Sequence, residues 1–597
     1  ITAGAKYTIL SSLDLEVKYQ YQRAQEQMQD LQNEQTYFAR DLINRYTQIE
    51  DDGTVSRAIP LGGILNESYD LTNSHSVRGQ FNYDYHRGKN QLSAIAGMEI
   101  REGEARGSSS RLYGYDEDIL TYESRIDYAS FYTMFHNHRR ARIPFSGGTS
   151  EIYDAAISYY TNAAYSYDER YTVSASARLD QSNLFGVTTN QKGVPLWSAG
   201  VSWRIDNEDF YNLKFLPDLK FRLTYGYNGN LDKTVTAFTT ARYSSNDPLT
   251  GLPYVNIVNP PNPELRWEKV RILNVGIDFA GQERRISGSI EYYHKKGSDL
   301  LGFAPVDPTT GITSFKGNVA NMVGEGVDLI LNTRNVKGDF NWNTNLLFSF
   351  TTDKVTKYLQ SQPNATELLL QDRSIDRVSG LINPIEGNPV FGIYSYRYAG
   401  LDPATGDPLG YGDNGEVSKD WSVLTRVDPE DLVYHGSARP TFFGSFRNTF
   451  SWKGLSISAN IAYKLGYYFK GSTISYTALF NNWNGHKDFN RRWKEPGDEN
   501  STQIPSMVYP ANPSRDRFLT NSEVTVGRGD HIRLQDVNIS YRVTKQALEA
   551  LPLSQLKVYI YANNLGVIWK TNDMGIDPDF PRLLAPLTIA LGLNIEF

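Results

Sequence analysis

Four acids crowd one short stretch of this 597-residue chain: Asp402, Asp407, Asp413 and Glu416, inside a turn-rich run over residues 400–416. Carboxylates that close suggest a calcium loop. Their spacing is not that of an EF-hand, however, and Asp and Gly are what turns need in any case. His136 and His138 stand two apart ahead of Arg139 and Arg140. No third ligand stands in register with them, so a solvated loop is the simpler account. The chain has no Gly-x-Ser-x-Gly, no phosphate-binding Gly-rich loop and no His-Glu-x-x-His, and its 67 acids specify no pairing. It therefore reads as a non-enzyme, with no cofactor and no metal expected.

Residues suited to recognition remain. Tyr411, Trp421, Trp483 and Trp493 fall in connecting segments, where rings stack on sugars or peptide side chains or pack on a partner. Packing is the commoner use. Tyr559, Tyr561 and Asn563 sit at alternate positions of one segment and share a face. These seven are the candidate substrate-lining residues. Arg178 and Asp180 share a polar face with Ser174 and Ser176, and a plain ion pair accounts for them.

The elements that would carry these residues are strands. In Leu587–Phe597 every odd position is large and apolar and every even position is small or polar. Such a strand has one greasy and one wet face, and suits either a soluble sheet or a membrane barrel. The same period of two marks segments near 2–9, 13–23, 75–87, 90–104, 153–168, 169–182, 195–206, 218–229, 266–280, 284–296, 318–334, 338–352, 439–452, 454–467, 528–543, 555–568 and 584–597. In 528–543 the apolar phase slips between Leu534 and Val537, which predicts a β-bulge at Gln535-Asp536.

Connections between these segments alternate short and long. The long ones are 24–74, 105–152, 230–262, 297–317, 353–438 and 468–527. A soluble sandwich has no reason for that order, whereas an outer-membrane barrel has short periplasmic turns and long external loops. Helical content is expected in the Gln/Glu-rich run Gln22–Arg45, in residues 477–495 up to Pro496-Gly497, and as one turn within Thr544–Gln555. If the last strand runs inward, so does the first, and the strand count is odd. Single-chain bacterial barrels have an even count, so the chain reads as the C-terminal part of a larger barrel whose first strand needs a further partner.

Composition agrees. There are 40 Tyr, no Cys, a net charge of -7 and a mean hydropathy of -0.47. No apolar run reaches the about 20 residues of a membrane helix. A barrel's lipid-facing residues are diluted one-for-one by inward ones, so its average looks soluble. The small negative charge argues against nucleic-acid binding.

Several motifs resemble the SusC/RagA family of TonB-dependent outer-membrane transporters of Bacteroidetes: Asn262–Lys269 with Asn274–Asp278, Glu291–Lys296, Asn321–Asp328, His531–Tyr541, Tyr561–Leu565 and Gly592–Phe597. Ala177–Ser182 and Phe221–Gly229 fit as well. Before residue 150 only Pro60–Gly63 and Gly97–Glu99 are similar, and His435–Pro440 departs from the family's usual approach to its strand. The resemblance implies an all-β fold, a 22-stranded transmembrane antiparallel barrel of which residues 1–597 would form about 17 C-terminal strands. The N-terminal plug, its TonB box and the leading strands would lie outside this chain. It further implies TonB-driven import of oligosaccharides or oligopeptides in the bacterial outer membrane. The implied partners are TonB, the surrounding outer-membrane lipid and a SusD-like surface lipoprotein that acts as a lid, with scope for a dimer of such pairs. The rivals are a passive or structural outer-membrane barrel and a surface β-protein that binds carbohydrate.

Overall fold

The computed structural model describes the chain apart from residues 137, 184–192, 231, 233–234, 245–251, 253, 306, 308, 310–311, 313, 360–363, 375–383, 413–414, 544–552, 582–583 and 597. Asp413 and most of the predicted turn in Thr544–Gln555 lie outside the described residues.

The wall strands, in chain order, are β1 (Thr2–Leu10), β2 (Leu13–Gln32), β3 (Gly63–Arg87), β4 (Asn90–Asp116), β5 (Gly148–Tyr167), β6 (Tyr171–Ser182), β7 (Gly193–Arg204), β8 (Asp218–Asn230), β9 (Glu268–Ala280), β10 (Ile286–Pro305), β11 (Ser314–Val336), β12 (Phe340–Tyr358), β13 (Phe442–Trp452), β14 (Leu455–Leu465), β15 (His531–Arg542), β16 (Gln555–Lys570) and β17 (Thr588–Glu596). Among the described residues five helices lie in the connections: α1 (Tyr37–Arg45), α2 (Ala365–Ser374), α3 (Trp421–Leu424), α4 (Tyr476–Asn482) and α5 (Pro513–Thr520). Among the described residues no helix is long and apolar enough to cross a membrane.

The chain divides into two compact units. The first comprises Ile1–Tyr85, Leu92–Ala163 and Ala177–Pro195. Within it β1 pairs with β2 and β2 with β3, all antiparallel. The β2–β3 ladder continues from Leu13↔Tyr83 to Gln32↔Ile64. Beyond it lies a small core of Ala39 and Ile43 from α1 with Tyr46, Ile59, Ile64, Tyr113 and Ile143. Thr36 caps α1 by accepting from the Ala39 amide.

The second unit comprises His86–Gln91, Ala164–Ser176 and Leu196–Phe597. Here strands pair with their neighbours along an unbroken antiparallel order from β7 to β17. The register keeps chemistry in rows. Residues directly opposite on an antiparallel sheet point to one face. One apolar row is Ile560↔Ile539↔Ile457↔Phe450↔Trp342. The adjacent wet row is Tyr561↔Asn538↔Ser458↔Thr449↔Asn343.

The apolar rows are not covered. Ile457, Ile539, Ile560, Phe446 and Phe450 are all exposed. On β17 exposure reaches 77% at Leu591. The large buried side chains of this unit lie instead in the long connections. Leu368, Leu369, Tyr394, Tyr396, Leu424 and Phe518 form one core there, and Ile474 and Tyr476 belong to another. The sheet has thus put its greasy face outward, and the loops have folded on themselves.

Three sequence expectations need correction. Strands outrun the expected loop limits: β2 reaches Gln32, β3 starts at Gly63, β4 reaches Asp116, β10 reaches Pro305 and β12 reaches Tyr358. Where both faces of a hairpin meet water the ladder persists but the period-two signal fades, so the pattern ended too early. For the same reason the Gln/Glu-rich stretch up to Gln32 is strand, and only Tyr37–Arg45 is helix. In residues 477–495 the helix is α4 alone. It stops at Trp483, which adopts the left-handed conformation (φ 57°), and a 3-10 turn follows at Lys487–Arg491. The bulge expected at Gln535-Asp536 is present: Asn460 faces Asp536 and Ile461 faces Leu534, leaving Gln535 unpaired in that ladder.

Candidate functional site

Two surfaces of the second unit could meet a solute: the wet face of the wall and the folded loop layer. On the wall, several charges are paired in place. Arg222 donates to both oxygens of Asp278 at 2.8 Å and to Glu291 at 2.6 Å, linking β8, β9 and β10. Such a bidentate pair with a second carboxylate holds three strands in register. Arg447 on β13 reaches Asp536 on β15 at 3.0 Å, and the Asn460 amide donates to the same carboxylate. In the first unit Arg178 pairs with Asp180 at 2.7 Å and also donates to Ser158, in keeping with the plain ion pair.

Tyr559, Tyr561 and Asn563 lie on the wet face of β16, half-buried, and alternate with exposed Val558 and Ile560. Tyr559 lies over Gly592 on β17, whose missing side chain makes room for the ring. Asn563 accepts from the Gln535 amide at 3.1 Å, at the bulge. The bulge therefore turns a polar side chain onto this row.

The four loop aromatics differ in their partners. Tyr411 stacks with Arg397, whose guanidinium carbon is 4.8 Å from the ring centre. Trp421 starts α3, donates its indole N–H to the Pro408 carbonyl at 2.9 Å and packs on the loop core. Trp493 is buried, donates to Glu499 at 3.1 Å and lies against Gly406. Gly406 has φ +67°, so it supplies both the turn and the space. These three have their partners within the loop layer. Trp483 is different: it is 88% exposed and caps α4.

Sequence reasoning missed what organises this layer, which is Arg515. Asn512 caps α5 by accepting from the Ser514 and Arg515 amides, and Pro513 occupies the first helical position. The short helix then buries Arg515, Asp516, Phe518 and Leu519. Arg515 donates to Asp407 at 2.9 Å and to the Ser506 carbonyl at 2.8 Å. Its guanidinium lies 5.8 Å from the Trp421 ring and 5.7 Å from Tyr476. Asp516 accepts from Ser475 and from the Thr477 amide, which ties α4 to α5. Burial pushes the Tyr476 phenol up to about 12, so it stays a neutral donor to the Pro505 carbonyl. A helical charge pattern beginning at an Asn-Pro cap was the available signal.

Asp402 and Asp407 are occupied as turn residues. Asp402 accepts from the Ala404 amide and from Lys419, and Asp407 is held by Arg515 and Thr405. His136 and His138 gather no further ligand, and no group of three or more possible metal ligands exists among the described residues.

Above β14 and β15 a second charged knot holds the segment after β16. Lys464 donates to Asp579 at 2.8 Å, His531 contacts the same carboxylate at 3.2 Å, and Arg533 donates to Asp577 at 2.6 Å. Burial alone would raise the Asp579 carboxyl, but the bonds from His531 and Lys464 outweigh it and hold it well below the usual range.

A sheet bare on its apolar face, carrying paired charges on its wet face and joined by folded loops at alternate turns is the wall of an outer-membrane β-barrel protein. The comparisons agree: the family model described as TonB dependent receptor-like, beta-barrel matches residues 2–565, and the chain belongs to that family. It is 24% identical over 485 residues to TonB-dependent receptor P26 of Formosa agariphila, covering 74% of this chain and 46% of that protein. To TonB-dependent receptor P39 of the same organism it is 23% identical over 592 residues, covering 89% and 53%. To TonB-dependent receptor SusC of Bacteroides thetaiotaomicron it is 24% identical over 340 residues, covering 48% and 34%. The fold matches a chain of the RagAB peptide importer in its closed-closed state with a TM-score of 0.73 at 20% identity, over 100% of this chain and 61% of that one. The chain is thus SusC/RagA-like, and it spans about half the length of the curated Formosa relatives it matches.

Proposed function

We propose that residues 1–597 form the C-terminal wall and external loops of a TonB-dependent importer of oligosaccharides or oligopeptides. Its plug, TonB box and leading strands would belong to the longer protein, and a SusD-like lipoprotein would sit over the loops as a lid. The lid and loops capture solute, the plug rearranges when TonB pulls, and solute moves along the wet face. The wall supplies shape and polar contacts rather than chemistry. Of the seven lining candidates, Trp483, Tyr559, Tyr561 and Asn563 would touch solute, a reading supported by the exposed Trp483 ring and the shared wet face of the other three. Tyr411, Trp421 and Trp493 would act by shaping the loops.

The observation that carries this reading is the uncovered apolar face of β13–β17 opposite a wet face of paired charges. Hydrocarbon outside and a solvated or plugged bore inside account for both. The test is uptake of labelled oligosaccharides and oligopeptides by the source bacterium, with the gene for this protein deleted, with its TonB deleted, and with neither deleted. Loss of one solute class in both deletions is expected. Uptake that survives TonB loss would favour the passive barrel, and unchanged uptake without this gene would overturn the proposal.

A further inference from the structure

The loop layer of the second unit holds a cavity of about 550 Å3, within the range of ligand pockets and lined on one side by Tyr394 of the loop core. Its walls are aromatic and apolar: Tyr358, Tyr394, Tyr434 and two prolines. The described lining includes two carboxylates, Glu386 and Glu430, and no cation.

The groups are fixed unequally. Tyr394 is buried, and its hydroxyl accepts from the Asn388 amide at 2.8 Å. Burial pushes its phenol up to about 12, so it remains neutral. Tyr434 packs on it with ring centres 5.3 Å apart, yet is itself 41% exposed, so part of its ring is open. Glu386 accepts from the Tyr358 amide at 2.6 Å, which holds that carboxylate at the rim. Glu430 sits exposed in the 3-10 turn Pro429–Asp431, between two further acids.

We infer that this cavity binds a basic side chain of a peptide, a lysine or an arginine, against the Tyr434 ring with Glu386 and Glu430 as counter-charges. A cation gains from a ring face and from carboxylates together. A neutral sugar would desolvate both carboxylates without neutralising either. A second cavity of about 270 Å3 shares Tyr358 and Pro384 with the first and is lined largely by Leu300, Phe303, Met322 and Val355. It has room for an apolar side chain beside the basic one. The inference rests on the import reading above and narrows its solute to peptides with a basic residue next to an apolar one.

The test is calorimetric titration of the full-length transporter, purified with its lipoprotein partner, using a lysine-containing oligopeptide. The controls are the same peptide with norleucine for lysine, and a neutral oligosaccharide. The lysine peptide is expected to bind at least tenfold more tightly than the norleucine peptide. Glu430→Gln should shrink that ratio to about threefold or less, because one counter-charge of the pair is gone. Tyr434→Leu should weaken the lysine peptide more than the norleucine one. Glu430 is exposed, so its variant is expected to fold, and retention of the heat-modifiable band on gels checks this. Equal binding of the two peptides, or a ratio unchanged by Glu430→Gln, overturns the pocket while leaving peptide import standing. Binding of the oligosaccharide with no peptide binding overturns the pocket and points import toward glycans.

Discussion

Arg515→Met is the sharpest perturbation of the loop layer. The side chain is 2% exposed, and its hydrogen bonds go to Asp407 and to Ser506. Methionine fills much of the same volume but leaves Asp407 without its cation. Removing one partner of a buried pair costs about 3–5 kcal/mol. Asp407 keeps its bond from the Thr405 hydroxyl at 2.9 Å and is 15% exposed, so the low end, about 3 kcal/mol, applies here. At about 1.4 kcal/mol per decade that is roughly a hundredfold rise in local opening. Global unfolding of the wall would not report it, because α5 touches the loop core rather than the strands. The assay is amide exchange or limited proteolysis over residues 396–425 and 472–525. Protection there should fall about a hundredfold while the strands keep theirs. Adding Asp407→Leu should restore part of the loss by removing the orphaned charge. A fall of less than threefold in the single variant, or no recovery in the double, would refute Arg515 as the organising residue.

Further expectations follow from the wall and its rim. Ile560→Lys places a charge on the apolar face and should cost about 2–4 kcal/mol at mid-membrane depth, whereas Tyr561→Lys, one residue on, faces water; the yields of folded barrel in outer membranes should differ accordingly. Gly444→Ala would drive a Cβ into the Leu347 carbonyl and within 2.5 Å of the Tyr463 hydroxyl that bonds to it, so about 1–3 kcal/mol should be lost, read as a lower temperature for loss of the heat-modifiable band. Asp579 is held below the usual carboxylate range when folded, so its contribution is complete above about pH 4 and fades as acid protonates it in the folded state. Proteolysis near residues 571–581 should therefore rise on acidification below that point, and Asp579→Asn should show the same susceptibility at neutral pH. Trp483→Ala should leave stability unchanged, since the ring is almost fully exposed, and lower solute affinity if the ring stacks on solute.

Much of the wall was legible in the sequence. Alternation along β13 to β17 depends on two solvents meeting one ribbon, and that contrast is written residue by residue. The slip between Leu534 and Val537 was equally readable, because one extra residue shifts the face of everything after it. The loop layer was not legible. Its core of Leu368, Tyr394, Leu424 and Phe518 is drawn from segments up to 150 residues apart, and no local period records such a meeting. Sequence left Trp421 and Trp493 open between stacking on a solute and packing, with packing the commoner use; in the fold Pro408 and Glu499 take their N–H groups. The sequence alone therefore determined which residues share the apolar face of each strand and which share the polar one, because strand geometry is local. Tertiary structure alone decided that Arg515 binds Asp407 across 108 residues and that Tyr434 keeps an open ring, because burial and charge pairing depend on what the rest of the chain brings alongside.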